Sequence, residues 1–109
     1  MKILKKIGDL ENSIRNVSSL GFVPTMGSIH KGHISLIKES KKKAKKTIVS
    51  IFVNPLQFNN KNDFVNYPRN IKKDLIVLKK LKVNFLYLPN KNEILKIKKK
   101  NNFKLSKID

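Results

Sequence analysis

The run Ile48-Val49-Ser50-Ile51-Phe52-Val53 constrains this chain more than any other feature. Residues 47–53 form a near-continuous series of β-branched and aromatic side chains. Such a strand is buried on both faces, as in a parallel sheet covered by helices. The rest of the chain supplies matching parts. Residues 3–4 read as a short edge strand. Residues 9–17 read as a helix with Leu10, Ile14 and Val17 on one face and Asp9 as its cap. Residues 20–23 form a short apolar strand, stopped by Pro24. Residues 32–44 read as a helix in which Ile34, Ile37 and Lys38 sit on neighbouring turns and Leu36 widens the apolar face. Residues 71–81 follow as a helix capped by Asn70, with Ile71, Leu75, Leu78 and Leu81 inward. Residues 83–88 are a last strand, ended by Pro89.

The order β-α-β-α-β-α-β predicts an α/β protein: a Rossmann-like open parallel sheet with flanking helices on both faces. Right-handed crossovers follow by default. Ligands of such sheets bind at the carboxyl ends of the strands. Two unusual loops leave strands at those ends, residues 24–33 and residues 54–68. The second is long for a compact domain, and loops of that length are usually functional or disordered.

A chain of 109 residues suffices for one small domain. Residues 1–95 carry the domain pattern. Residues 96–109 lack a cap, a turn or a closing strand and read as a tail leading into further sequence. There is no cysteine, which excludes disulfides and fits a reducing cytoplasm. No apolar run approaches the roughly 20 residues that span a bilayer, and no secretory signal is evident. The reading is a soluble cytoplasmic protein without a membrane partner.

The net charge of +18 raises nucleic-acid binding as an alternative. The charge is nearly all lysine spread along the chain, and the arginines are Arg15 and Arg69 alone. Arginine is the better bidentate reader of phosphates and bases. Aromatics, at 7%, are too few for a stacking surface. The lysines therefore read as a solvated surface, and no nucleic-acid partner is expected.

The chemistry-bearing stretch is Pro24-Thr25-Met26-Gly27-Ser28-Ile29-His30-Lys31-Gly32-His33. Two histidines three apart stand where a loop enters a helix. Free N–H groups and the helix dipole favour an anion there. Gly27 and Gly32 let backbone approach closely. Imidazole can donate to a phosphate oxygen and stabilise charge on a phosphoryl group under attack. The plain alternative is that His30 and His33 are surface or capping residues. A metal pair lacks further Cys or His ligands, so no metal ligand is assigned. No P-loop or glycine-rich dinucleotide loop is present.

The His-x-Gly-His element resembles the signature of the nucleotidyltransferase superfamily that includes class I aminoacyl-tRNA synthetases. A longer series resembles one family within it. Gly21 to Gly27, His30-Lys31-Gly32-His33, Val49 to Phe58 with Val53-Asn54-Pro55-Leu56-Gln57-Phe58, Asp63, Tyr67-Pro68-Arg69 and Asp74-Leu75 look like the pantoate–β-alanine ligases, in order over residues 1–95. The resemblance implies ATP-dependent condensation of pantoate with β-alanine through a pantoyl adenylate, releasing AMP and pyrophosphate. It implies that Met26, Gly27, Ser28, Ile29, His30, Lys31, Gly32 and His33 bind ATP. His33 matches the histidine assigned as proton donor, and His30 its phosphate-contacting partner. Gln57 matches the glutamine that binds pantoate and β-alanine, and Pro24 and Met26 match residues lining the pantoate pocket. Magnesium as a cofactor and a homodimeric full-length protein are implied too. Lys31 departs from the family, where an acidic residue is common. The family's later Lys-Asp-x-x-Gln segment is absent, so the chain reads as an N-terminal portion with little turnover alone. The alternatives are another nucleotidyltransferase of the same fold and a basic nucleic-acid-binding module.

Overall fold

The structure is a computed structural model that describes residues 1–52, 71–90 and 92–93. Expectations for Val53, for residues 54–68, for Asn70 and for residues 94–109 fall outside the described residues. The described elements run β1 (Lys2–Leu4), α1 (Ile7–Ile14), β2 (Leu20–Thr25), α2 (Lys31–Lys43), β3 (Lys46–Ile51), α3 (Ile71–Lys80) and β4 (Phe85–Tyr87). The four strands form one parallel sheet in the order β1-β4-β3-β2. The Rossmann-like sheet anticipated from residues 47–53 is thus present, and β3 lies between two neighbours.

That order decides where the helices go. The chain leaves β1 for the far edge of the sheet, then returns through β3 to β4. Right-handed crossovers made in opposite directions lie on opposite faces. The packing agrees. Val23, Val49, Ile51 and Leu86 point to one face and pack with Ile37 of α2 and Leu78 of α3. Ile71, Leu75 and Leu81 border the same cluster. Ile48, Tyr87 and Leu4 point to the other face, against Ile7 and Leu10 of α1. The change of face between Ile48 and Val49 is the period of two that a strand imposes. Burial of Ile37, Val49, Leu78 and Leu86 is complete. Truncating one such side chain to Ala typically costs about 2–5 kcal/mol.

Three local expectations are corrected. Pro24 does not stop β2, which continues to Thr25. The Thr25 carbonyl accepts from Phe52 N–H across the β2–β3 pair, so the polar groups of the preceding residue point away from β3. β2 borders the described sheet, and an edge strand tolerates a proline whose missing donor faces outward. Asp9 does not cap α1. The helix begins two residues earlier with Lys6 as N-cap, and the Ile7 N–H donates to Glu93 Oε1 at 3.0 Å. A carboxylate from the far end of the described chain does the work assigned to a local cap. Leu36 does not widen the buried face of α2. It is 58% exposed, and Ile37 is the helix's buried residue.

Gly21 explains how closely α2 approaches the sheet. A Cβ there would collide with the side chain of Ser40. The Ser40 hydroxyl is paired with Thr47 Oγ1 at 2.8 Å. No described helix is long and apolar enough to cross a membrane.

Candidate functional site

The site is built at the carboxyl end of β2, where the strand turns into α2. Thr25 organises the exit. Its hydroxyl donates to the Ser50 carbonyl at 3.0 Å and accepts from the Gly27 N–H at 3.1 Å. One side chain therefore ties β2, β3 and the turn together. Gly27 then takes φ 90° and Ser28 φ 55°. The first is a conformation that L side chains rarely adopt, and the glycine supplies it without a Cβ clash. Gly27 is buried while Met26 beside it is 37% exposed.

The turn is held from the other side by α3. Asp74 lies in the first turn of that helix and is 3% exposed. Its Oδ2 accepts from Ser28 N–H and its Oδ1 from Ile29 N–H, both at 2.9 Å. Asp74 stands in the family series of residues, where the sequence alone assigns it no task. A carboxylate on an otherwise inward-facing helical surface was the available signal, since such groups are rarely buried without partners.

His30 is the N-cap of α2 and His33 its third residue. The His30 N–H donates to His33 Nδ1 at 3.2 Å, and the Gly32 N–H donates to His30 Nδ1 at 3.1 Å. The two side chains form a capping box made of imidazoles. The ring centroids lie 4.0 Å apart at an interplanar angle of 34°. A ring nitrogen that accepts carries a lone pair, so each neutral ring bears its proton on Nε2. Both rings thus present an Nε2–H donor. Gly32 makes room for this. A Cβ there would lie 3.0 Å from His30 Cε1 and 3.3 Å from His30 Nδ1. The pKa of His33 is lowered, first by burial, then by His30, with the charge of Asp74 opposing.

The capping alternative and the phosphate reading of the histidines are therefore compatible, because capping uses Nδ1 and leaves Nε2. Pro24, half-buried, and Met26 lie on the same strand end. Lys31 is exposed. Gln57 lies outside the described residues. Among the described residues no group of three His, Asp or Glu side chains could hold a metal ion. Both carboxylate oxygens of Asp74 are committed to backbone donors.

A parallel sheet whose outermost described strand feeds a helix opened by His-x-Gly-His defines an α/β protein of the Rossmann-like kind. The comparisons narrow this. The family model described as pantoate-beta-alanine ligase matches residues 2–108, and the chain belongs to that family. It is 46% identical over 91 residues to the pantothenate synthetase of Francisella tularensis subsp. novicida, a match covering 84% of this chain and 35% of the relative. The crystal structure of pantoate-beta-alanine ligase from Francisella tularensis, complexed with beta-gamma ATP and beta-alanine, superposes with a TM-score of 0.83 at 40% identity. That match covers 95% of this chain and 40% of the other. The pantothenate synthetase of Thermus thermophilus gives 0.80 at 34% identity, over 85% of this chain and 33% of that one. The chain thus spans about a third of the length of the curated relatives it matches.

Proposed function

We propose that this chain supplies the ATP- and pantoate-binding part of a pantothenate synthetase. The reaction is condensation of pantoate with β-alanine, driven by ATP, giving pantothenate, AMP and pyrophosphate. The observation that carries the reading is the His30–His33 pair, whose capping bonds leave two Nε2–H donors at one helix start.

In the first step the pantoate carboxylate attacks the α-phosphorus and the bond to pyrophosphate breaks. Negative charge builds on the α-phosphate oxygens during that exchange. Two preset imidazole donors and the start of α2 stabilise it without reorganising. In the second step the β-alanine amine attacks the acyl carbon and AMP leaves. His33 acts here as a neutral hydrogen-bond donor from Nε2. Its lowered pKa and its accepting Nδ1 both favour the neutral ring, and a neutral imidazole at a helix start is an effective electrophile. The residues from Met26 to His33 take the ATP phosphates, and Pro24, Met26 and Gln57 line the pantoate and β-alanine side. Among the described residues no three carboxylate or imidazole side chains converge as a cage for magnesium; the ion, bound together with ATP, would neutralise charge on the phosphates. The working enzyme is read as a cytoplasmic homodimer without a nucleic-acid partner.

A chimera tests this reading. Residues 1–95 replace the corresponding part of the Francisella tularensis relative, and pyrophosphate release is followed. Release that requires pantoate, at about 1 per second or more, is the expected result. Release that requires a phosphorylated acceptor instead assigns the chain to a different nucleotidyltransferase.

A further inference from the structure

Asp74 is a charged group buried against an uncharged turn. A carboxylate so placed must be fully partnered, and its partners are the N–H groups of Ser28 and Ile29. Those groups belong to the segment in which Gly27 and Ser28 both have positive φ. Successive N–H groups in a turn can converge into a concavity that binds anions, and those of Ser28 and Ile29 converge on one carboxylate. Here the anion is supplied by the protein itself. Positive φ at a residue other than glycine persists only where the surroundings enforce it, and Asp74 accepts from the peptide N–H on each side of the Ser28 Cα. The turn ends one residue before His30. Its path fixes how the chain enters α2, and so where both rings lie.

We propose that Asp74 is a positioning residue: by clamping the Ser28 and Ile29 N–H groups it holds His30 and His33 together as paired Nε2–H donors toward a phosphoryl group. The clamp rests on geometry alone, and only the identity of the phosphoryl ligand rests on the function proposed above. The family series contains this aspartate, yet neither its sequence nor the histidine motif indicates that the two halves of the site are joined through it. The charge of Asp74 also reaches His33, where it opposes the effect of burial.

The test uses the whole chain with nitrogen-15 in its imidazoles. At about pH 7.5, above the ordinary histidine range, both rings of the native chain are expected to show an unprotonated Nδ1 and a protonated Nε2. Asp74→Asn keeps the size but puts an amide donor against a backbone N–H. It is expected to give a mixture of tautomers at both histidines. It also weakens binding of a non-hydrolysable ATP analogue about tenfold, the worth of one hydrogen bond to a charged group. Leu78→Ala, on the same helix, controls for lost stability and leaves the tautomers unchanged. Unchanged histidine spectra in folded Asp74→Asn overturn the proposal. Should that variant fail to fold, Asp74→Glu is read instead. A carboxylate one methylene longer does not meet both N–H groups from the same Cα, so native spectra there overturn it equally. If the native chain binds no ATP analogue, the proposed function fails while the spectra still decide the clamp.

Discussion

His30 and His33 together cap the N-terminal end of α2, with ring centroids 4.0 Å apart and their Nδ1 atoms accepting from the Gly32 and His30 N–H groups respectively. A cap usually uses a serine, threonine or acidic side chain and nothing is left over. An imidazole has a second nitrogen. The same residue can satisfy the helix start and still offer a donor to a ligand. This is why the spacing of three matters: it is the spacing of a capping box, and it also sets two donors side by side.

Acid should loosen this start. The folded-state pKa of His33 lies below the ordinary 6.5, mainly because the ring is partly buried. The folded chain therefore binds fewer protons than the unfolded chain in that range, and stability rises with pH. The contribution is complete above the unfolded value and is lost as pH falls through the folded one. Thermal melts between about pH 5 and 8, the window in which histidine titrates, should show the midpoint falling with acid. His33→Gln keeps an acceptor at the third helical position, as capping boxes allow, and should flatten that slope. Equal slopes in the two chains would remove His33 from the pH dependence.

Gly32→Ala should separate stability from binding. Alanine is the better helix former by about 1 kcal/mol, so the melting midpoint should hold or rise. The added Cβ sits 3.0 Å from His30 Cε1, and the ring must move by a few tenths of an ångström. Since a displaced donor loses most of its value, affinity for an ATP analogue should fall about tenfold. Calorimetric titration of both chains checks this. A variant that binds as the native chain does would show that the His30 ring position is not critical.

Gly27→Ala should act on stability first. Gly27 is buried with φ 90°, and an L side chain in a left-handed conformation costs about 1–2 kcal/mol. Denaturant titration should show that loss with an unchanged slope, because the surface exposed on unfolding stays the same. A stability within error of the native chain would mean that the turn relaxes freely.

The parts of this molecule that were legible in advance depend on local signals. The β-branched and aromatic run over residues 47–53 declared a buried strand, described as Lys46–Ile51, and Gly27 with His30 to His33 declared a turn and a helix start. Ile71, Leu75 and Leu78 fell on one face of α3 as their spacing required. The misses arise where a distant residue replaces a local one. Lys6 precedes α1 because Glu93 supplies the acceptor for Ile7, which no window around Asp9 could reveal. Pro24 reads as a terminator unless its strand is known to border the described sheet with its nitrogen turned away from β3. Leu36 looks like core until Ile37 fixes which arc of α2 faces the sheet. Asp74 was visible as a letter in a series. Its contact with Ser28 and Ile29, 46 and 45 residues away, follows only from the order of the strands.

Tyr87→Phe should stabilise the chain. Tyr87 is 9% exposed, and among the described residues its hydroxyl has no hydrogen-bond partner. Burial, and to a lesser degree the carboxylate of Glu93, push its pKa up to about 12. An unpaired buried hydroxyl forfeits its hydration, a loss of about 1–3 kcal/mol, and phenylalanine has the same shape without it. Allowing for the exposure that remains, the variant should gain about 1 kcal/mol near neutral pH. The pH dependence gives an independent check. A pKa raised in the folded state means that stability is intact below the unfolded value of about 10 and is lost as pH rises toward the folded one. The native chain should therefore weaken relative to Tyr87→Phe above about pH 10, widening the gap between them. Melts at neutral and alkaline pH measure both effects. A Tyr87→Phe chain less stable than the native one would mean that the hydroxyl holds a partner in solution, with Glu93 the first group to test.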